Sequence, residues 1–273
     1  MDGGAWKLCT SLILFGILIF GEGKKTVLKF GSEDDVAVAL ASYTANLSGK
    51  FIGQKDSFTV VLSGGSLIHT MRKLVEDPYK DSVDWSKWWI FWVDERVVPL
   101  NNPDSNYLLA SNGFLSKVPI PSKNIYAIND TKSPQGAAED YEARLRQLVK
   151  SGVLHLSPTG FPKFDLMLLG MGPDGHVASL FPNRTQRHEK KRWVTFITDS
   201  PKPPPQRITF TFRVINSASE NAMVITDGEL ANMVNVALGD GVAPNGIPPP
   251  CTEVSAEDEL TWFLDKDAAS KVR

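Results

Sequence analysis

Cysteine is nearly missing from this 273-residue chain, which has only Cys9 and Cys251. A disulfide scaffold is therefore excluded. Cys9 lies in a leader-like segment, and without that segment Cys251 has no partner, which suits a body built for a reducing compartment. Net charge is almost absent too, with 29 Lys and Arg against 31 Asp and Glu. Nucleic-acid binding usually needs a clear basic excess, so there is no electrostatic case for it. No stretch reaches the roughly 20 apolar residues of a membrane-spanning helix. There is no G-x-S-x-G elbow, so a serine hydrolase would lack its nucleophile. No His, Cys and Asp set has zinc-ligand spacing, and no metal is expected. No internal repeat is visible. What remains is an ordinary soluble composition, 42% apolar and 22% charged, in a length that buries one good core or two small ones.

The amino terminus conflicts with that body. Leu8 to Phe20 is uncharged, mostly apolar and 13 residues long, closer to the apolar centre of a signal peptide than to a membrane span. Gly21-Glu22-Gly23 offers a small-x-small cleavage pattern, but Asp2 offsets Lys7 in the basic flank. A working signal or anchor and a divergent start both stay open. Residues 1–24 are read as a hydrophobic leader and residues 25–273 as one domain.

Strand and helix patterns alternate through that domain. Val27 to Phe30 reads as a strand. Ser32 then caps a helix whose first turn is Glu33-Asp34-Asp35 and whose apolar face is Val36, Leu40, Tyr43 and Leu47. Phe58 to Leu62 is a buried-strand run, followed by a helix with Ile68, Met71 and Leu74 on one face. Trp88 to Val93 alternates Trp88, Ile90 and Trp92 against Trp89, Phe91 and Val93. Ile125 to Ile128 reads as a weaker strand. Ala138, Tyr141, Leu145 and Leu148 mark a helix. Phe164 to Leu169, Trp193 to Ile197, Ala222 to Thr226 and Thr261 to Leu264 are further strands. The pattern predicts an α/β fold: a Rossmann-like three-layer domain, its mostly parallel sheet covered by helices on both faces. The proline-rich stretches Ser200 to Gln206 and Gly241 to Pro250 read as loops. In such sheets ligands bind at the carboxyl ends of the strands.

Four motifs stand at those strand ends or beside them. Ser63-Gly64-Gly65-Ser66 lies between a strand and a helix, where glycines let a backbone approach an anion and helix N–H groups attract it. A tight turn that merely needs glycine would look the same. Asp94-Glu95-Arg96 puts three charges where an apolar strand emerges, and Arg96 there could stabilise an oxyanion or bind phosphate; a solvated ion pair is the plainer alternative. Gly170, Gly172 and Gly175 have G-x-G-x-x-G spacing, with Asp199 beyond. Asp174 would crowd a pyrophosphate, and the following stretch is short for a crossover helix, so a dinucleotide site is rejected. The same loop sets His176 beside Asp174, a carboxylate able to orient an imidazole that takes a proton from water. Arg207 follows a stiff Pro203-Pro204-Pro205 run and could close over a phosphate or be an ordinary surface residue.

Taken in order, VVLSGGS (Val60 to Ser66), FWVDERVVP (Phe91 to Pro99) with Asp104-Ser105-Asn106, FDLMLLGMGPDGHVASLFP (Phe164 to Pro182) and PPPQRITFTF (Pro203 to Phe212) resemble the 6-phosphogluconolactonase family, its plant members most closely. The resemblance spans roughly residues 26–270. It implies a Rossmann-like fold shared with glucosamine-6-phosphate deaminases. It implies hydrolysis of 6-phospho-D-glucono-1,5-lactone, a small-molecule substrate, to 6-phosphogluconate in the oxidative pentose phosphate pathway, without metal or cofactor. It implies His176 as general base, Asp174 tuning it, Arg96 on the oxyanion or the substrate, and Asp94 and Glu95 ordering that loop. Gly64, Gly65, Ser66 and Arg207 would hold the phosphate, with Glu95 counted among the substrate-binding residues. A cytoplasmic location follows by resemblance, relatives being typically cytosolic or plastid proteins; the leader leaves a secretory or membrane-anchored form open.

The chain departs from the family in two further places. Many relatives carry Gly-x-x-Lys-Ala where this chain reads Asp227-Gly228-Glu229-Leu230-Ala231, so Leu230 stands where a phosphate-associated Lys is usual. Losing one charge-assisted bond costs about 1.5–3 kcal/mol, which motivates an alternative reading as a weakened paralogue that binds sugar phosphates. The segment Asn183 to His188 is unusually basic. An amino-sugar-phosphate deaminase on the same fold is a third reading, which the DER-VP and RIT blocks disfavour.

Overall fold

A computed structural model of the chain describes residues 23–239 and 241–273. The leader named above falls almost wholly outside the described residues. Among the described residues eleven strands are formed: β1 Lys24–Phe30, β2 Phe58–Leu62, β3 Trp88–Trp92, β4 Asp94–Arg96, β5 His155–Leu156, β6 Pro162–Lys163, β7 Leu166–Leu169, β8 Val194–Ile197, β9 Arg207–Phe210, β10 Glu220–Ile225 and β11 Glu259–Asp265. The α-helices are α1 Glu33–Lys55, α2 Ser66–Thr70, α3 Tyr79–Ser82, α4 Asn106–Gly113, α5 Pro134–Lys150, α6 Phe212–Ile215 and α7 Ala231–Ala237.

Six strands make one parallel sheet in the order β1-β11-β10-β7-β2-β3. Strands β2, β3 and β7 are mostly apolar because both faces are covered there, whereas the edge strand β1 carries three lysines, and the pleat divides the apolar runs between two cores. Phe58, Val60, Leu62, Trp88, Ile90 and Trp92 pack with Leu40 and Phe51 of α1 and Ala110 of α4. Val61, Phe91, Met167 and Leu169 pack on the other side with Tyr141 and Leu145 of α5. The alternation expected for Trp88 to Val93 is therefore what separates the two layers.

Local chemistry sets the ends of these elements. Ser32 caps α1 as expected, its Oγ accepting from the Asp35 N–H at 3.2 Å. Ser133 caps α5 in the same way, with Pro134 in the first turn. Asp165 anchors the start of β7: its Oδ2 accepts from Thr59 N–H and Oγ1, and Lys55 pairs with Oδ1 at 2.9 Å.

The parallel sheet flanked by helices is as expected, and the structure differs from the sequence reading in four local places. The face bearing Phe91 and Met167 is covered by more than helices: β4, β9 and β8 form a separate antiparallel sheet whose Val194, Ile208 and Phe210 join that core. Asp94-Glu95-Arg96, expected to halt a strand, is therefore itself a strand, one residue after β3. Ile125 to Ile128 is not a ladder strand. Only Ile125 bridges Ile90, because the Tyr126 and Ala127 carbonyls accept from Tyr141 Oη and Arg144 Nη1 of α5. The helix after Ser66 is short, passing at Met71 into a 3-10 turn, although Ile68, Met71 and Leu74 are buried as expected.

Candidate active site

The chain winds outward from β2 to β3, then returns across β2 to β7, β10 and β11. The winding reverses between β2 and β7, and a crevice opens where the loops at their carboxyl ends diverge. The Ser63–Ser66 loop follows β2, and the Gly170–His176 loop follows β7. Their neighbours are Arg96 on β4, Arg207 on β9 and the Thr226–Leu230 loop after β10. Together they line a cavity of about 310 Å³. Four motifs far apart in sequence thus meet at one topological point.

The loop after β7 is wound to present His176. Gly175 N–H donates to Gly172 O at 2.9 Å, and Gly172 N–H donates to His176 O at 3.0 Å. The imidazole lies so close to Gly172 that any Cβ there would overlap the ring. Phe181 backs the imidazole at 4.6 Å between centroids. Nδ1 is 2.5 Å from Asp174 Oδ1, which fixes it as the protonated nitrogen beside an ionised carboxylate. Nε2 has no partner among the described residues, and His176 faces the cavity. Burial pushes the Asp174 carboxyl up, but the hydrogen bond and charge of His176 outweigh it and hold the group below its usual range. Asp174 stands behind the ring, outside the cavity lining. Gly172→Ala should displace the imidazole and lower turnover by about 10²-fold, the usual cost of misplacing a reacting group by an ångström. Initial rates, with a thermal melt as fold control, check this; near-normal turnover would refute the packing argument.

The opposite wall is cationic. Arg96 and Arg207 are direct cross-strand partners of β4 and β9. Like charges in that register repel by about 0.2–1 kcal/mol, so an anion between them would relieve the strain. Arg207 is only 3% exposed. Its Nε donates to Pro204 O, and its Nη2 to Lys202 O and Pro203 O, all at 3.0 Å. The proline run is thus the collar of this side chain. Burial, and then the charge of Arg96, pull Arg207 below its ordinary value despite Asp94. Arg96 Nη1 donates to Asp104 O at 2.7 Å, while its Nε is buried without a partner. Ser63 Oγ, on the glycine loop, is likewise buried and unpartnered. Both residues line the cavity, and a guanidinium and a hydroxyl on one wall are chemistry that suits an oxyanion.

The expected site residues divide accordingly. His176, Arg96, Arg207, Gly64, Gly65, Ser66 and Asp94 all line the cavity. Asp94 spends Oδ2 on Ser179 Oγ at 2.6 Å. Glu95 is corrected: it does not line the cavity and is 2% exposed. Its carboxylate accepts from the N–H groups of Arg96, Asn106 and Tyr107 at 2.7–2.8 Å, tying β4 to the start of α4. Burial pushes its carboxyl up to about 7 against the pull of those three donors.

Sequence reasoning missed Ser63 and Ser179 as individual site residues, and it noted Asn106 only as part of a motif. Asn106 bridges β4 and the glycine loop: its Nδ2 donates to Asp94 O at 3.0 Å, and its Oδ1 lies where a Gly64 Cβ would be. Gly64 is thus required by close approach. Leu230 lines the cavity beside Asp227 and Glu229. That wall is apolar and acidic, in contrast to the arginine side.

These features define a doubly wound α/β protein with an oriented imidazole facing an anion-receptive wall. The profile described as glucosamine-6-phosphate isomerases/6-phosphogluconolactonase matches residues 31–262, and the chain belongs to that family. A probable chloroplastic 6-phosphogluconolactonase 4 of Oryza sativa is 59% identical over 248 residues, covering 90% of this chain and 76% of the rice protein. The chloroplastic 6-phosphogluconolactonase 3 of Arabidopsis thaliana is 57% identical, covering 92% of this chain and 76% of its own. The solved 6-phosphogluconolactonase of Thermotoga maritima superposes with a TM-score of 0.75 at 29% identity, over 89% of this chain and all of that one.

Proposed function

We propose that this chain hydrolyses 6-phospho-D-glucono-1,5-lactone to 6-phospho-D-gluconate in the oxidative pentose phosphate pathway. The observation that carries the reading is the meeting of His176, held through Nδ1 with Nε2 free, with the Arg96–Arg207 pair in one cavity. The names of its relatives agree. For location the reading is cytoplasmic, the family resemblance being its basis. Relatives named as chloroplastic stand beside others named without a compartment, such as a probable 6-phosphogluconolactonase 5 of Arabidopsis thaliana. Among the described residues no helix is long and apolar enough to cross a membrane.

The arginines, Ser63 Oγ and the backbone of Gly64 to Ser66 hold the phosphate, and C1 of the lactone lies at His176. Nε2 takes a proton from water as its oxygen bonds to C1, and the carbonyl electrons move onto oxygen. Asp174 stabilises the imidazolium that forms. The tetrahedral intermediate collapses with cleavage of the C1 to ring-oxygen bond, and His176 returns its proton to that oxygen. The new carboxylic acid then ionises, releasing the proton that the assay follows. Asp94 and Glu95 act as positioning residues.

Adding the purified full chain to fresh 6-phosphogluconolactone tests this, with acid release followed against spontaneous hydrolysis. Acceleration at catalytic concentration is expected; a folded protein that gives none would overturn the reading. Asp174→Asn tests the carboxylate. The amide cannot stabilise the imidazolium that forms, so kcat should fall by about 10²-fold with KM little changed. Initial rates beside a thermal melt check this; a kcat near wild type would remove Asp174 from this role.

A further inference from the structure

Ser179 lies three residues beyond His176 and is completely buried. Ala178 before it has φ of 53°, and Leu180 N–H donates to Val177 O at 3.0 Å. This tight turn carries the serine toward the small antiparallel sheet. Its N–H donates to Thr209 Oγ1 at 3.2 Å, and its Oγ donates to Asp94 Oδ2 at 2.6 Å. The same Oγ receives Arg207 Nη1 at 3.4 Å. Asp94 Oδ2 and Arg207 Nη1 are 3.9 Å apart. A hydroxyl therefore stands at the gap between a carboxylate and a guanidinium that would otherwise meet.

The gap matters because the other guanidinium nitrogens of Arg207 are spent on the proline-run carbonyls. Nη1 is the nitrogen left for a ligand. A direct carboxylate contact would be charge-assisted and strong, and it would turn Nη1 away from an incoming phosphate. We propose that Ser179 is a positioning residue, a hydroxyl spacer that keeps Asp94 from closing on Arg207 and so leaves Nη1 for the phosphate of the substrate. This rests on the assignment of Arg207 to the phosphate made above. Preference for a phosphorylated lactone is then set by a residue in the loop that carries the base.

The test compares the full-length protein with Ser179→Ala and Ser179→Cys on 6-phosphogluconolactone and on unphosphorylated glucono-1,5-lactone, with inorganic phosphate as competitive inhibitor. Both variants should raise KM for the phosphorylated lactone and Ki for phosphate about tenfold, the scale of one charge-assisted hydrogen bond. Turnover of either lactone at saturation should stay within about twofold, as for an interaction equal in ground and transition states. Adding Asp94→Asn to Ser179→Ala removes the competing charge and should recover much of the phosphate affinity. Equal losses on both lactones, unchanged phosphate binding, no recovery in the double variant, or unfolding of both single variants would overturn the spacer role. A wild-type protein that hydrolyses both lactones without preference would instead overturn the phosphate assignment of Arg207, and the spacer role with it.

Discussion

His176→Ala lowers kcat on 6-phosphogluconolactone by about 10²–10⁴-fold, the usual contribution of a positioned base, with little change in KM. The expectation follows from the ring's surroundings. Its Nδ1 is committed to Asp174, its face packs on Phe181, and its other nitrogen opens on the cavity. Binding is assigned to the far wall, so removing the imidazole should leave substrate affinity largely intact. The measurement is the initial rate of acid release after subtracting the spontaneous reaction. A rate within a few fold of wild type would show that water is activated by some other group.

Arg96→Met and Arg207→Met should each raise KM for the phosphorylated lactone by about 10–150-fold, from about 1.5–3 kcal/mol per charged hydrogen bond. They should differ in stability. Arg207 satisfies three backbone carbonyls and lies by Asp94 in a buried setting. Its loss strands those acceptors, and uncompensated buried charge is strongly destabilising. Arg96 is less buried, holds only the Asp104 carbonyl and leaves an Nε without a partner. Arg96→Met should therefore melt close to wild type while Arg207→Met melts well below it. Thermal melts beside kinetics on both lactones separate the effects. An unchanged ratio between phosphorylated and unphosphorylated lactone in Arg96→Met would exclude it from the phosphate site.

Much of the architecture was readable because both faces of the main sheet are buried. Phe58 to Leu62, Trp88 to Val93 and Phe164 to Leu169 are apolar runs broken only at Thr59 and Asp165, and each forms a strand within a residue or two of its expected ends. The second sheet was hidden because one of its strands, Asp94–Arg96, consists wholly of charged residues. Their burial is offset by Ser179, by backbone N–H groups and by cross-strand neighbours that no local pattern displays. The candidate site was legible as four motifs, since glycines and charges after apolar runs are unusual enough to notice. Its supporting atoms were not. Ser63 and Ser179 are ordinary serines in sequence, and only the fold shows one orphaned at the cavity and the other between two charges. Glu95 was misread because three adjacent charges give no hint of which one turns inward.

All six strands of the main sheet point the same way, and the chemistry gathers at their carboxyl ends. Lys24 begins β1 on the outer edge, at the opposite end of the sheet. Seven extended residues lie between that entry and the catalytic rim, about 23 Å at the usual rise per residue. The start of β1 and the cavity therefore occupy opposite poles of the sheet, so a tether or immobilising tag joined at β1 would leave the cavity mouth clear.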